Sequence, residues 1–222
     1  VVLGDPLAEG RLNSAGGVYG YNCGQVYVYN RSNQSIINLI ESPWAQSSNP
    51  GEYQAYFGQA ITMCTYAAYK YLIIAAPRYK NPSTNEFEMK IMIYRTMDNF
   101  ANYTLLQTIT AHTSAFTGGG SGLTNSQGRF PRFTKFLDGN EEQFAIAFNG
   151  IDGNNNAGNG RGYVRVYEYD YSTGGFSEKS VVNQTTNQFN DTVTICQSNN
   201  TLFTGCEGYD YVLGSQNWGD VG

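Results

Sequence analysis

Short apolar runs recur along the chain about 70 residues apart. They are Val1-Val2-Leu3-Gly4-Asp5-Pro6, Tyr71-Leu72-Ile73-Ile74-Ala75-Ala76-Pro77, Phe144-Ala145-Ile146-Ala147-Phe148-Asn149 and Tyr211-Val212-Leu213-Gly214-Ser215. Each is β-branched or aromatic, turns to small residues and ends on Pro, Asn or Ser, the pattern of a buried strand leaving into a loop. The first three are each followed by a second run that alternates Val or Ile with Tyr: Gln25 to Tyr29, Lys90 to Tyr94 and Tyr163 to Tyr167. A period of two suits a strand whose two faces pack differently. After a short polar turn comes a third strand, over Ser35–Ile40, Tyr103–Ile109 and Phe176–Val182.

A strand also precedes each of the later units: Tyr56–Thr62, Arg129–Phe133 and Phe189–Val193. One unit is therefore four antiparallel strands, A-B-C-D, repeating every 65 to 73 residues or so. Tandem four-stranded units are the signature of β-propeller blades. The expected fold is all-β, a partial propeller of about three blades, with blade parts at 1–52, 53–110, 128–183 and 187–222. Val1-Val2-Leu3-Gly4 and Tyr211-Val212-Leu213-Gly214 stand at the same phase, so the 222 residues read as a slice of a larger propeller with open blade edges.

Phe57-Gly58 followed by Leu72-Ile73-Ile74-Ala75-Ala76-Pro77 resembles the FG-GAP repeat of the integrin α-subunit propeller, in which FG opens strand A and GAP closes strand B. Gly4-Asp5-Pro6 resembles a second GAP end; Phe130 and Phe189 keep only the aromatic of FG. The resemblance implies an extracellular adhesion propeller that contacts ligands and partners through one loop face. Many such repeats carry a calcium loop between strands A and B. Here that connection is Thr65 to Lys70, without a carboxylate, or Asp138-Gly139-Asn140-Glu141-Glu142, without the alternating spacing. Calcium is not expected, Asp138 and Glu141 being the only weak candidates.

Composition narrows the chemistry. There are 18 Tyr and 26 Gly, and only 14% of residues are charged, against roughly a quarter in an average domain. A net charge of −5 with scattered basic residues argues against nucleic acid as a partner. No apolar run is long enough for a transmembrane helix. The single histidine, His112, has no ligand-spaced Cys or Glu nearby and reads as a surface-loop residue. The Gly-rich stretches at 118–122 and 150–162 lack the Lys-Ser/Thr and the following helix of a phosphate loop.

Four cysteines and six Asn-x-Ser/Thr sequons point to a secreted or cell-surface protein. Cys196 and Cys206 are expected to bridge the A-to-B hairpin of the last unit. Cys23 and Cys64 then pair by elimination, although the repeat puts them at opposite ends of a sheet; a free or inter-chain cysteine is the alternative. Asn30, Asn33 and Asn102 fall at C-to-D turns. Asn183 and Asn199 complete the expected glycosylation sites, while Asn190 falls on an inner strand and is a poor acceptor.

Strand order sends B-to-C and D-to-A connections to one face. These are the long ones: 7–22, 41–52, 78–86, 111–128 and 150–162. Recognition sits on long loops carried by a rigid scaffold. Trp44, Tyr53, Arg78, Tyr79, Phe116 and Asp152 are the expected ligand-binding residues, since aromatic and Arg side chains anchor protein and glycan contacts. The favoured function is non-catalytic adhesion, or protein or glycan binding. The alternatives are a structural subunit of an extracellular filament or coat, packing against copies of itself, and a propeller glycosidase or lyase. The last would need two converging carboxylates; only Asp138 and Asp191 offer themselves, in different blades, so an enzyme is not expected.

Overall fold

A computed structural model describes residues 1–8, 23–44, 55–66, 68–81, 83, 87–98, 100–111, 133–137, 144–152, 161–170, 172–183, 193–198, 201–206, 210–213 and 216–220. Among these residues every regular element is a β-strand, and all pairings are antiparallel. The chain divides into two compact units, 1–113 and 114–222.

The first unit holds two sheets. β1 (Val2–Asp5), β2 (Gln25–Tyr29) and β3 (Ile36–Glu41) form a three-stranded meander. β4 (Ala60–Tyr66), β5 (Tyr69–Lys80), β6 (Phe87–Thr96) and β7 (Thr104–Ala111) form a four-stranded one. The alternation read from the sequence is what lets them stack. Val26 and Val28 of β2 and Ile40 of β3 share one buried cluster with Leu72, Ile74 and Ala76 of β5 and with Met92 and Tyr94 of β6. The intervening positions Tyr71, Ile73, Ala75, Ile91 and Ile93 are also fully or almost fully buried, so the inner strands β5 and β6 are buried on both faces. Continuous apolar runs, not simple alternation, are what such a doubly covered strand requires.

Phe57-Gly58 stands where the two sheets of this unit meet. Tyr56 (φ 55°) and Gly58 (φ 91°) take left-handed backbone, which makes the dipeptide a turn leading into β4. The Phe57 amide donates to the Cys23 carbonyl (3.0 Å), beside β2, and the Gly58 amide donates to the Ala75 carbonyl (3.0 Å) on β5. Phe57 itself is fully buried, with its ring edge-on to Tyr94. The strand expected from Tyr56 accordingly starts four residues later, at Ala60; of the strands expected at 129–133 and 189–193 only Phe133 and Val193 lie within the described residues, and both are strand. In the second repeat the aromatic-led segment is the turn before strand A.

The second unit contains a four-stranded meander of β8 (Phe133–Leu137), β9 (Phe144–Asp152), β10 (Arg161–Asp170) and β11 (Gly175–Asn183). Val166, Tyr167 and Phe176 are buried there, and Tyr169 meets Phe176 edge-on at 5.2 Å.

One irregularity repeats with the units. In each C-to-D pair the register shifts at the same place: between Val28 and Tyr29, between Ile93 and Tyr94, and between Val166 and Tyr167. The bulge thus recurs beside the last aromatic of all three Val/Ile/Tyr runs. A bulge bends its strand and increases local twist, so each sheet carries the same device at the same phase. The proline of the GAP-like run has its own shift, between Ala76 and Tyr79; Pro77 brings no N–H to the ladder.

The last segment departs from the expected unit. β12 (Val193–Ser198) pairs not with a strand near Tyr211 but with β13 (Thr201–Cys206), directly after it. β14 (Asp210–Leu213) pairs with β15 (Gln216–Asp220) in a separate two-stranded sheet. The Thr- and Phe-containing run 201–206 holds enough β-favouring residues to close a hairpin on β12. This register also separates the cysteines. Cys196 lies opposite Phe203 and Cys206 opposite Val193, an offset of three residues. That is about 10 Å of strand rise, beyond the Cα separation a disulfide spans, so the expected hairpin bridge does not fit this pairing. Cys23 is fully buried beside Phe57, whereas Cys64 is five residues into β4. The two stand toward opposite ends of that strand, which the repeat already implied.

The β6–β7 turn is fixed by one carboxylate. Asp98 accepts from the Asn102 amide (2.9 Å) and from Asn102 Nδ2 (2.6 Å), and Thr96 Oγ1 lies 2.7 Å away. These donors, Asn102 first, hold the Asp98 carboxyl down to about 2. A folded value below the unfolded one, near 4, stabilises the fold fully above that unfolded value. The stabilisation is lost as pH falls through about 2. A carbon-detected NMR titration should place the Asp98 midpoint near 2, and the melting difference between the wild type and Asp98→Ala should shrink as pH falls from 4 to 2.

Candidate functional site

β3 ends at Glu41, and the chain leaves it through Ser42, whose Oγ accepts from the Trp44 amide at 3.3 Å. β5 runs on past its proline to Lys80, so Tyr79, expected in a loop, is a strand residue opposite Glu88. These two extensions bring Trp44 and Tyr79 together. Their ring centroids lie 4.6 Å apart at an interplanar angle of 35°, a close tilted pair. Lys90, on β6 one strand over, sets its ammonium 4.9 Å from the centre of the Tyr79 ring. Lys90 Nζ also donates to Thr110 Oγ1 on β7 at 2.8 Å. Both rings are partly buried and pack against the core cluster, and both remain partly open to solvent.

The result is a cation–aromatic–aromatic stack at the end of the sheets from which the B-to-C and D-to-A connections leave. A stacked indole and phenol offer an apolar face to a flat or CH-rich ligand group, and the ammonium adds a positive charge at the rim. Backing by the core also keeps the rings rigid, which lowers the entropy lost on binding.

Of the six expected residues the structure brings together Trp44 and Tyr79. Arg78 stands on β5 at the register shift after Ala76, and its side chain lies outside those described. Asp152 is the last residue of β9, opposite Arg161, in the second unit. Tyr53 and Phe116 lie outside the described residues, as do His112, Asp138, Glu141, Asp191, Asn190 and Asn199. Lys90 was missed. It opens the run Lys90-Ile91-Met92-Ile93 on a strand that also holds Glu88 and Arg95, and the signal available was its register opposite the GAP-like segment at Ala76.

Burial raises the Tyr94 phenol well above its ordinary value, with Tyr103 beside it; burial and then Glu41 raise Tyr103. Among the described residues no group of three or more His, Cys, Asp or Glu side chains could hold a metal ion. Among them, too, no helix is long and apolar enough to cross a membrane. Compared with known proteins, the chain matches no family model and none of the curated proteins.

Proposed function

We propose that the chain is a stretch of an integrin-α-like β-propeller that works outside the cell as a non-catalytic binding module. It engages a protein or glycan ligand through the end that carries its B-to-C and D-to-A connections. Support for the propeller comes from the repeated bulged meander and from the turn made by Phe57-Gly58, tied at once to Cys23 and to Ala75. Support for the binding end comes from the Trp44–Tyr79–Lys90 stack, the observation that carries this reading. Sequon number and cysteine usage support the extracellular compartment.

Trp44→Ala is the direct test, read on an array of neutral and acidic oligosaccharides and on immobilised matrix proteins. A partly buried aromatic anchor contributes upwards of about 1 kcal/mol, so binding to whichever probe the wild type recognises should fall about tenfold. The melting temperature reports any accompanying loss of fold. Binding that survives both Trp44→Ala and Tyr79→Ala unchanged would remove this end of the molecule from the function.

A further inference from the structure

We infer that Asn33, at a hairpin tip, carries an N-linked glycan, and that Asn102, with an equally good sequon, does not. The inference rests on the extracellular reading above; it concerns which turn is modified and what the sugar covers. Two described turns carry three sequons, Asn30 and Asn33 on the β2–β3 hairpin and Asn102 between β6 and β7.

Asn33 is exposed at the tip of the β2–β3 hairpin, followed by Gln34 in left-handed backbone (φ 56°). Its bonds are made by Oδ1, which accepts from the Ser35 amide (3.1 Å) and the Ser35 hydroxyl (2.8 Å). The sequon's own serine therefore orients the side-chain carbonyl, and these bonds do not engage Nδ2, the atom to which a sugar is joined. In the transfer, the Nδ2–C1 bond forms while the bond from the anomeric carbon to the diphosphate of a lipid-linked donor breaks. One Nδ2 proton passes to a base of the transferase.

Asn102 differs in that respect. Its Nδ2 donates to Asp98 Oδ2 at 2.6 Å, its amide donates to Asp98 Oδ1 at 2.9 Å, and its carbonyl accepts from Thr96 Oγ1 at 2.5 Å. A sugar on that nitrogen removes one of its two hydrogens and sets a pyranose against the Asp98 carboxylate. Even a sugar added before folding would have to be accommodated at the expense of the bonds that close the β6–β7 turn. Asn30, at the base of the same hairpin, has its Oδ1 held by its own sequon serine too, accepting from the Ser32 amide (2.9 Å); it is only partly exposed, and exposure at the tip is what favours Asn33 over it.

The surroundings of Asn33 give a sugar something to do. Ile36 is 56% exposed, Ile37 follows it, and Met97 on the β6–β7 turn is 67% exposed. Asn38 Nδ2 donates to the Phe100 and Ala101 carbonyls and holds the two turns at one end. Apolar side chains gathered at one end of a secreted domain are an association liability, and a glycan on Asn33 shields them. The six residues of β3, about 20 Å of rise, separate it from Ser42 and the Trp44 stack, so the binding end stays uncovered.

The experiment is secretion of residues 1–222 from a eukaryotic host behind a cleaved leader. Enzymatic release of the glycan converts an occupied Asn to Asp, which peptide mass mapping then locates. Asn33 should be converted and Asn102 left as Asn; Asn33→Gln or Ser35→Ala should abolish that modification, and Thr104→Ala should change nothing. Asn33→Gln should also leave the monomeric state at a lower concentration than the wild type in light scattering. Sugar on Asn102 with Asn33 bare, a secreted chain with no sugar, or an unchanged association threshold would each overturn the inference. Because the leader forces passage through the secretory route, a bare Asn33 counts against this site. Finding the native protein inside its cells would count against the extracellular reading instead.

Discussion

Phe57→Ala should lower the unfolding free energy by about 3 to 5 kcal/mol, the range for deleting a fully buried Phe side chain. Small domains are stable by only about 5 to 15 kcal/mol, so the variant should be at the edge of folding at room temperature. The ring is fully buried within the cluster that joins β2 and β3 to β5 and β6, and it meets Tyr94 edge-on with centroids 6.5 Å apart. Its loss leaves a cavity between two sheets, where neither can collapse without pulling on the Cys23 and Ala75 hydrogen bonds that flank it. Denaturant unfolding is the measurement: the midpoint should fall with little change in slope. Met97→Ala, on a side chain 67% exposed, serves as the control and should move stability by no more than about 0.5 kcal/mol. A Phe57→Ala effect within 1 kcal/mol of that control would mean that the dipeptide does not seat the sheets on each other.

The strands were legible wherever a run had to be buried on at least one face. Tyr71 to Ala76 and Lys90 to Tyr94 could satisfy both their β propensity and their burial only as inner strands, and they are. What was not legible depends on backbone geometry that hydrophobicity does not encode. Phe57-Gly58 stands in the aromatic-led segment expected to open strand A, but the left-handed φ at Tyr56 and Gly58 makes it a turn. The bulges before Tyr29, Tyr94 and Tyr167 left only a faint trace, an aromatic at the same place in three runs. The last unit failed for a different reason. A hairpin partner adjacent in sequence closes a much smaller loop than the strand near Tyr211 would, and the phase argument had no term for that competition. The candidate site was half legible: Trp44 and Tyr79 were named, but as loop residues. What joins them is the extension of β5 past Pro77, and what completes them is Lys90, one of three charged residues on β6.

Gly24→Ala is the second large effect, and it separates backbone approach from side-chain packing. Gly24 has φ 86°, a conformation that costs a residue bearing a side chain about 1 to 3 kcal/mol. Space is the second problem, since a β-carbon there would overlap the Phe57 carbonyl and lie 2.6 Å from the Phe57 nitrogen. These are main-chain atoms, already fixed by the bond from the Phe57 amide to the Cys23 carbonyl and by the Gly24 amide donating to Ala8 at 3.1 Å. Relief requires the two segments to move apart, at a further cost of about 1 to 3 kcal/mol typical of overpacking. The expected loss is therefore about 2 to 6 kcal/mol from a single methyl group, on a residue whose neighbours in sequence are polar or small. If packing of Phe57 and approach of Gly24 act on one junction, the double variant should lose less than the sum of the two single losses. Once the methyl has pushed the segments apart, the Phe57 ring has less contact left to lose. Full additivity in denaturant unfolding would show two independent sites, and the junction at Phe57-Gly58 would no longer account for how β2 is seated against β5.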